Sequence, residues 1–121
     1  MMNIAEAILK INYAAEKAHS KYLTLGFGQM MLYLEKAEQA ADFVAAKYPK
    51  KISRFPLIEA EATATNTPPN VIADNILARR AEWIAIAAKI ENIRFTGFTL
   101  LSTSKNIESD TEQCINELNK L

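Results

Sequence analysis

The sequence has one cysteine, one histidine, three glycines and four prolines in 121 residues. Each scarcity excludes something. A lone Cys114 cannot form an intrachain disulfide, so the fold must hold by packing, and a reducing compartment is expected. A lone His19 leaves no His-based metal set and no HExxH, CxxC or phosphate loop is present. Neither charge sign prevails: fourteen Lys/Arg face fourteen Asp/Glu. A neutral chain has no global pull toward nucleic acid or anionic lipid. No apolar run approaches the roughly 18 residues of a membrane span. The opening MMNIAEAILKINYAAEK is interrupted by Glu6, Lys10 and Asn12 and does not read as a signal peptide.

What is present is helical period. Half the residues are hydrophobic, enough for one core in a chain of this length. Ile4, Ile8, Ile11, Ala15, Ala18 and Tyr22 recur at spacings of three and four, as do Met30, Leu34, Ala37, Ala41, Val44 and Tyr48. Joined by a short Gly-Phe-Gly connection, these stripes predict an antiparallel helical hairpin over 1–48. Pro49 breaks the chain. A short helix is expected from Pro56 to about Thr65, then an N-cap at Thr67-Pro68-Pro69-Asn70, with the prolines entering a long helix. That helix carries two apolar stripes. One is Ile72, Ile76, Arg79, Trp83, Ile86, Ile90 and Ile93; the other is Leu77, Ala81, Ile84, Ala88, Phe95 and Phe98. Two stripes predict a central helix covered from more than one side. Gly97 is expected to kink or end it. Ser104 is the expected cap of a last helix, 105–121, with Ile107, Cys114, Ile115, Leu118 and Leu121 inward. The expected fold is all-α: one domain over 1–121, a bundle of four to five helices.

Charge is uneven along the chain. Residues 1–55 hold eight Lys/Arg against five Asp/Glu, and residues 56–121 hold six against nine. This imbalance can help halves dock or protomers pair, though exposed pairs are worth only about 0–1 kcal/mol each.

Candidate functional residues are few. Arg79 falls on an apolar stripe and Arg80 toward the polar side. A long arginine can lay its methylenes on apolar surface and keep its guanidinium in water, or meet a carboxylate, with Glu59 and Glu61 as candidates. Glu59 and Glu61 themselves point about 200° apart on a helix and make no carboxylate pair. Trp83 reads as core with an indole N–H needing a partner, or as an exposed interface anchor. Lys47, Lys50, Lys51 and Arg54 crowd a helix C-terminus, whose partial negative charge they complement; a phosphate or nucleic-acid ligand is the other reading. Glu35, Glu38 and Asp42 share a face that is read as solvated rather than as a cation site. Cys114 reads as a small buried hydrophobe and His19 as a surface or capping residue. Nothing assembles a nucleophile, a base and an orienter. No enzyme activity, metal or cofactor is expected, and nucleic acid and membrane are not expected partners.

From Phe55 onward the chain, FPLIEAEATATNTPPNVIADNILARRAEWIAIAAKIENIR, is similar to a segment that recurs in small helical proteins and C-terminal domains of tailed bacteriophages. These are usually encoded near tail or tail-fibre genes. Pro56-Leu57-Ile58, Glu59-Ala60-Glu61-Ala62, Thr67, Ile72-Ala73, Ile76, Trp83, Ile90-Glu91 and Arg94 carry the resemblance. The chain departs from the pattern at Asn66, where glycine is usual, and at Phe95-Thr96-Gly97-Phe98, where a basic residue and alanines are usual. The resemblance implies a phage structural or assembly role through protein–protein contacts, in the host bacterial cytoplasm or the virion. It brings no catalytic residue with it. Self-association is expected, because large apolar stripes on every helix exceed what so short a bundle hides. A phage effector that binds and inhibits a host protein is the alternative.

Overall fold

A computed structural model describes residues 1–22 and 27–121. The fold is all-α, as expected. It comprises α1 (Ile4–Ser20), α2 (Phe27–Ala45), α3 (Pro56–Thr65), α4 (Pro69–Leu101) and α5 (Ile107–Asn119), with no strand among the described residues. One domain with one core was the expectation. Instead the chain divides into two compact units, Met1–Thr24 with Trp83–Leu121, and Leu25–Glu82. Each has a buried cluster of its own. The physical reason lies in α4. Its residues are shared between the units, Pro69–Glu82 in the second and Trp83–Leu101 in the first, so each part serves its own cluster.

The first unit is built on small side chains. Asn3 caps α1, accepting a hydrogen bond from the Glu6 N–H at 2.8 Å. Ala7, Ile11, Ala14, Ala15 and Ala18 form its buried stripe. Facing them are Ile90 and Leu101 of α4 and Cys114 and Leu118 of α5. Alanine favours the helix intrinsically and lets neighbouring axes approach. The closest approach is at Gly97, where an added Cβ would sit 2.6 Å from Cys114 Sγ and 3.4 Å from Ile11 Cδ1. The helix does not end there, one of the two outcomes expected. It continues to Leu101, and the roughly 1 kcal/mol cost of a mid-helix glycine is offset by the packing of α5. Two bonds close the unit: Tyr22 Oη donates to the Leu121 carbonyl at 2.9 Å, and Lys21 Nζ to the Asn119 carbonyl at 3.1 Å.

The cap of α5 also differs from expectation. Asn106, not Ser104, accepts from the Ser109 N–H, at 3.1 Å. Ser104 lies two residues too early; its hydroxyl accepts from the Asn106 N–H and donates to Asp110 Oδ2 at 2.6 Å. Thr111, which the apolar reading passed over, is buried, its hydroxyl satisfied by the Ile107 carbonyl at 2.7 Å.

The second unit adds two buried phenylalanines to its four buried alanines, Ala37, Ala40, Ala62 and Ala73. Phe43 meets Phe55 edge-on at 5.2 Å and Tyr48 edge-on at 5.8 Å. Around them lie Ile58, Ile72 and Ile76. Helix α2 stops at Ala45, before Pro49. Lys47 and Tyr48 both take left-handed backbone, and their N–H groups bond to the Val44 and Phe43 carbonyls. That is a Schellman ending, with Tyr48 folded back on Phe43. Helix α3 starts at Pro56 with no side-chain cap from Phe55. Gln39 of α2 supplies the missing acceptor, taking the Leu57 N–H at 2.9 Å. Asn66 ends α3 in left-handed conformation, φ 51°. Asparagine tolerates this region best after glycine, which suits it to this helix end. Thr67 is not the cap of α4: its hydroxyl bonds to the Thr65 carbonyl, and the Pro68 carbonyl begins the next helix by accepting from Ile72.

The hairpin expected of 1–48 would join α1 of one unit to α2 of the other. Within the units, α1 packs on α5 and α2 on α3. The expected connection includes Gly26, outside the described residues; Phe27 and Gly28 are the first residues of α2.

Candidate functional site

The long helix carries the opening contrast of the sequence, two arginines among apolar residues. On its first stripe Ile72, Ile76 and Ile90 are buried and Trp83, Ile86 and Ile93 half-buried. Arg79 interrupts that stripe and is exposed, as is Arg80. The second stripe is not covered as expected. Ala81, Ile84, Ala88 and Phe95 are exposed, while Leu77 and Phe98 are half-buried. Between Leu77 and Ile86 no residue of α4 is buried. The arginines thus sit where the rod has no cover, and water solvates them at no cost to a core.

The acidic partners proposed for them lie elsewhere. Glu61 pairs with Lys36 of α2 inside the second unit. Glu59 is exposed. The described ion pairs are Lys36–Glu61 and Glu91–Arg94, so neither Arg79 nor Arg80 takes part in one among the described residues. Lys36 precedes the phage-like segment, and no spacing rule pointed to it.

Arg94 is engaged within its own unit. Its Nε donates to Asn12 Oδ1 at 3.0 Å and its Nη1 to both Glu91 oxygens at 3.1 and 3.2 Å. Its guanidinium stacks at 4.8 Å from the Phe95 ring centre and 5.2 Å from that of Phe98, and these rings meet edge-on at 5.7 Å. It clips α1 to α4. Trp83 is half-buried, 6.4 Å from His19 between ring centres, and its Nε1 has no hydrogen-bond partner among the described residues.

The basic loop exposes Lys47, Lys50, Lys51 and Arg54. Its aromatic residue, Tyr48, is occupied: Oη donates to Asp74 Oδ1 at 2.8 Å. That bond, and the negative charge behind it, raise the Tyr48 pKa above its usual 10.0. Glu35, Glu38 and Asp42 lie along the outer face of α2, beside Arg54 and Phe55, over a cleft of about 270 Å³. No group of three or more His, Cys, Asp or Glu among the described residues is placed to hold a metal ion. Burial and then the nearby Glu117 push the Cys114 thiol up, away from the reactive thiolate form.

The features that sequence reasoning missed are apolar and outside. Leu9 and Tyr13 of α1 are each 69% exposed, and Met31 and Leu34 of α2 are 55% and 52% exposed. Leu9, Tyr13, Ala14 and Ile115 floor a groove between α1 and α5 of about 360 Å³, edged by Lys10, Lys17 and Asn119. The signal was available: Leu9 and Tyr13 stand four apart, opposite the alanine stripe. Helix α1 is thus apolar on two faces, and only one is used. No helix among the described residues is long and apolar enough to cross a membrane. Compared with protein families, curated proteins and solved structures, the chain matches none.

Proposed function

We propose that this chain is a phage-derived structural or assembly protein that acts through protein–protein contacts and is tail-associated. The observation that carries the contact role is the set of large apolar side chains left in water on three helices: Leu9 and Tyr13 on α1, Met31 and Leu34 on α2, Ile84 and Phe95 on α4. Single exposed apolar residues are ordinary, but paired ones at helical spacing form faces that fit a partner. The phage assignment rests on the resemblance of the Phe55–Arg94 segment, whose packing residues Ile58, Ala62, Ile72, Ala73 and Ile76 form the second unit's core. In this reading the protein needs no cofactor and works in the host cytoplasm or the virion, with Trp83, Arg79, Arg80 and Glu59 as contact candidates on accessible surface.

The test is affinity capture from phage-infected cells together with mass spectrometry of purified virions. Recovery with tail proteins, or presence in the particle, supports the proposal. Absence from virions with stoichiometric recovery of one host protein replaces it with the host-directed alternative.

A further inference from the structure

Two exposed faces of this chain match each other in charge and spacing. On α1, Lys10 and Lys17 stand seven residues apart at the edge of the groove, with exposed Leu9 and Tyr13 beside them. No carboxylate lines that groove. The Lys17 ammonium lies 5.7 Å from the Tyr13 ring centre, holding one cation against the apolar floor. On α2, Glu35 and Asp42 also stand seven residues apart, with Glu38 between them and exposed Met31 and Leu34 one turn before. Seven residues are two helical turns, about 10.5 Å, so both charge pairs have the same pitch. The acidic face is not fully neutral at home: Gln39 donates to Glu35 at 3.3 Å, and Arg54 borders its far end.

We propose that the α1–α5 groove of one copy receives the outer face of α2 from a second copy. The contact is helix-in-groove, with Leu9 and Tyr13 meeting Met31 and Leu34, and Lys10 and Lys17 meeting the Glu35–Asp42 edge. It rests on the contact role given above and names its partner. Because groove and ridge are different surfaces, the contact is heterologous. It closes when a ring of copies completes; where two copies instead exchange ridges about a two-fold axis, the two contacts together form one isologous interface. The charges choose the partner and register; the apolar residues supply the affinity.

The experiment measures the mass of the full chain in solution over a range of concentrations, by sedimentation or light scattering. The wild-type chain is expected to be larger than a monomer. Reversing the groove, Lys10→Glu with Lys17→Glu, is expected to weaken association by about tenfold or more. Reversing the ridge, Glu35→Lys with Asp42→Lys, is expected to do the same. All four positions are exposed, and circular dichroism checks that each variant folds. The decisive arm mixes the two reversed proteins, whose faces are again opposite in sign, and large complexes are expected to return. Monomeric wild type at every concentration overturns the proposal but leaves a hetero-partner role intact. Association indifferent to the reversals, or no recovery on mixing, overturns it too.

Discussion

The two units share helical structure and four buried alanines each, and differ in what packs beside them. In the first, alanine, glycine and cysteine bring helices close, and the largest buried groups are Ile11, Ile90 and Leu118. In the second, the four buried alanines are joined by two aromatic rings, Phe43 and Phe55. Close packing of small groups is sensitive to added atoms; packing of large groups is sensitive to removed ones. The two cores should therefore fail under opposite substitutions.

The largest effect is expected from Phe43→Ala, which vacates the centre of the second core. A loss of about 3–5 kcal/mol is expected by chemical denaturation. Amide exchange should accelerate first along 37–76, and acceleration confined to 7–18 would break the comparison. Next comes Gly97→Ala, where one methyl is forced against Cys114. We expect a net loss of about 1–3 kcal/mol despite the better helix propensity of alanine. Adding Cys114→Ala removes the clashing sulfur, and the pair should be coupled by at least about 0.5 kcal/mol. Additive losses would mean that α5 is not held by this contact.

A smaller effect of opposite sign sharpens the contrast at the edge of the second unit. Lys47 holds left-handed backbone at φ 64°, which costs an L-residue about 1–2 kcal/mol. Lys47→Gly should raise stability by about 1 kcal/mol. The smallest effect is on titration. The Asp74 bond raises the Tyr48 pKa, so the native state holds this proton more tightly than the unfolded chain does. Its contribution is complete below the ordinary value of 10.0 and is lost as pH rises through the raised one. Tyr48→Phe should remove one of the four tyrosines' shares of the tyrosinate absorbance, a share that appears above pH 10, and the associated pH dependence of stability.

Much of this was legible in the residues. The bounds of α3 could be read from Pro56 and the polar turn after Thr65, since proline and capping chemistry are local. The inward side of α5 followed from the spacing of Ile107, Cys114 and Leu118. Partnership was not legible. Periodicity identifies an apolar stripe and not the helix that covers it, so α4 looked wrapped along its length although its middle is open. Caps were ambiguous wherever several polar residues are adjacent, as at Ser104 and Asn106. The Gln39 acceptor for α3 comes from another helix, beyond any local rule. Of the candidate contact residues, Arg94 and Glu61 proved to be engaged inside their own units. Leu9, Tyr13 and Met31 drew no notice, because each lies on a helix already assigned one buried side; Leu34 falls on the expected inward stripe of α2 and is exposed instead.

The order of segments along the chain bears on how the protein is made. The second unit occupies one uninterrupted stretch, so a ribosome has delivered all of it once Glu82 has emerged. The first unit needs Leu118, 36 residues later, before the alanine stripe of α1 meets its partner. At 5–20 residues per second the 98 residues between Ser20 and Leu118 leave α1 waiting roughly 5–20 s. Throughout that interval α1 shows both of its apolar sides to the cell, and a newborn chain can be caught by a neighbour before α5 arrives.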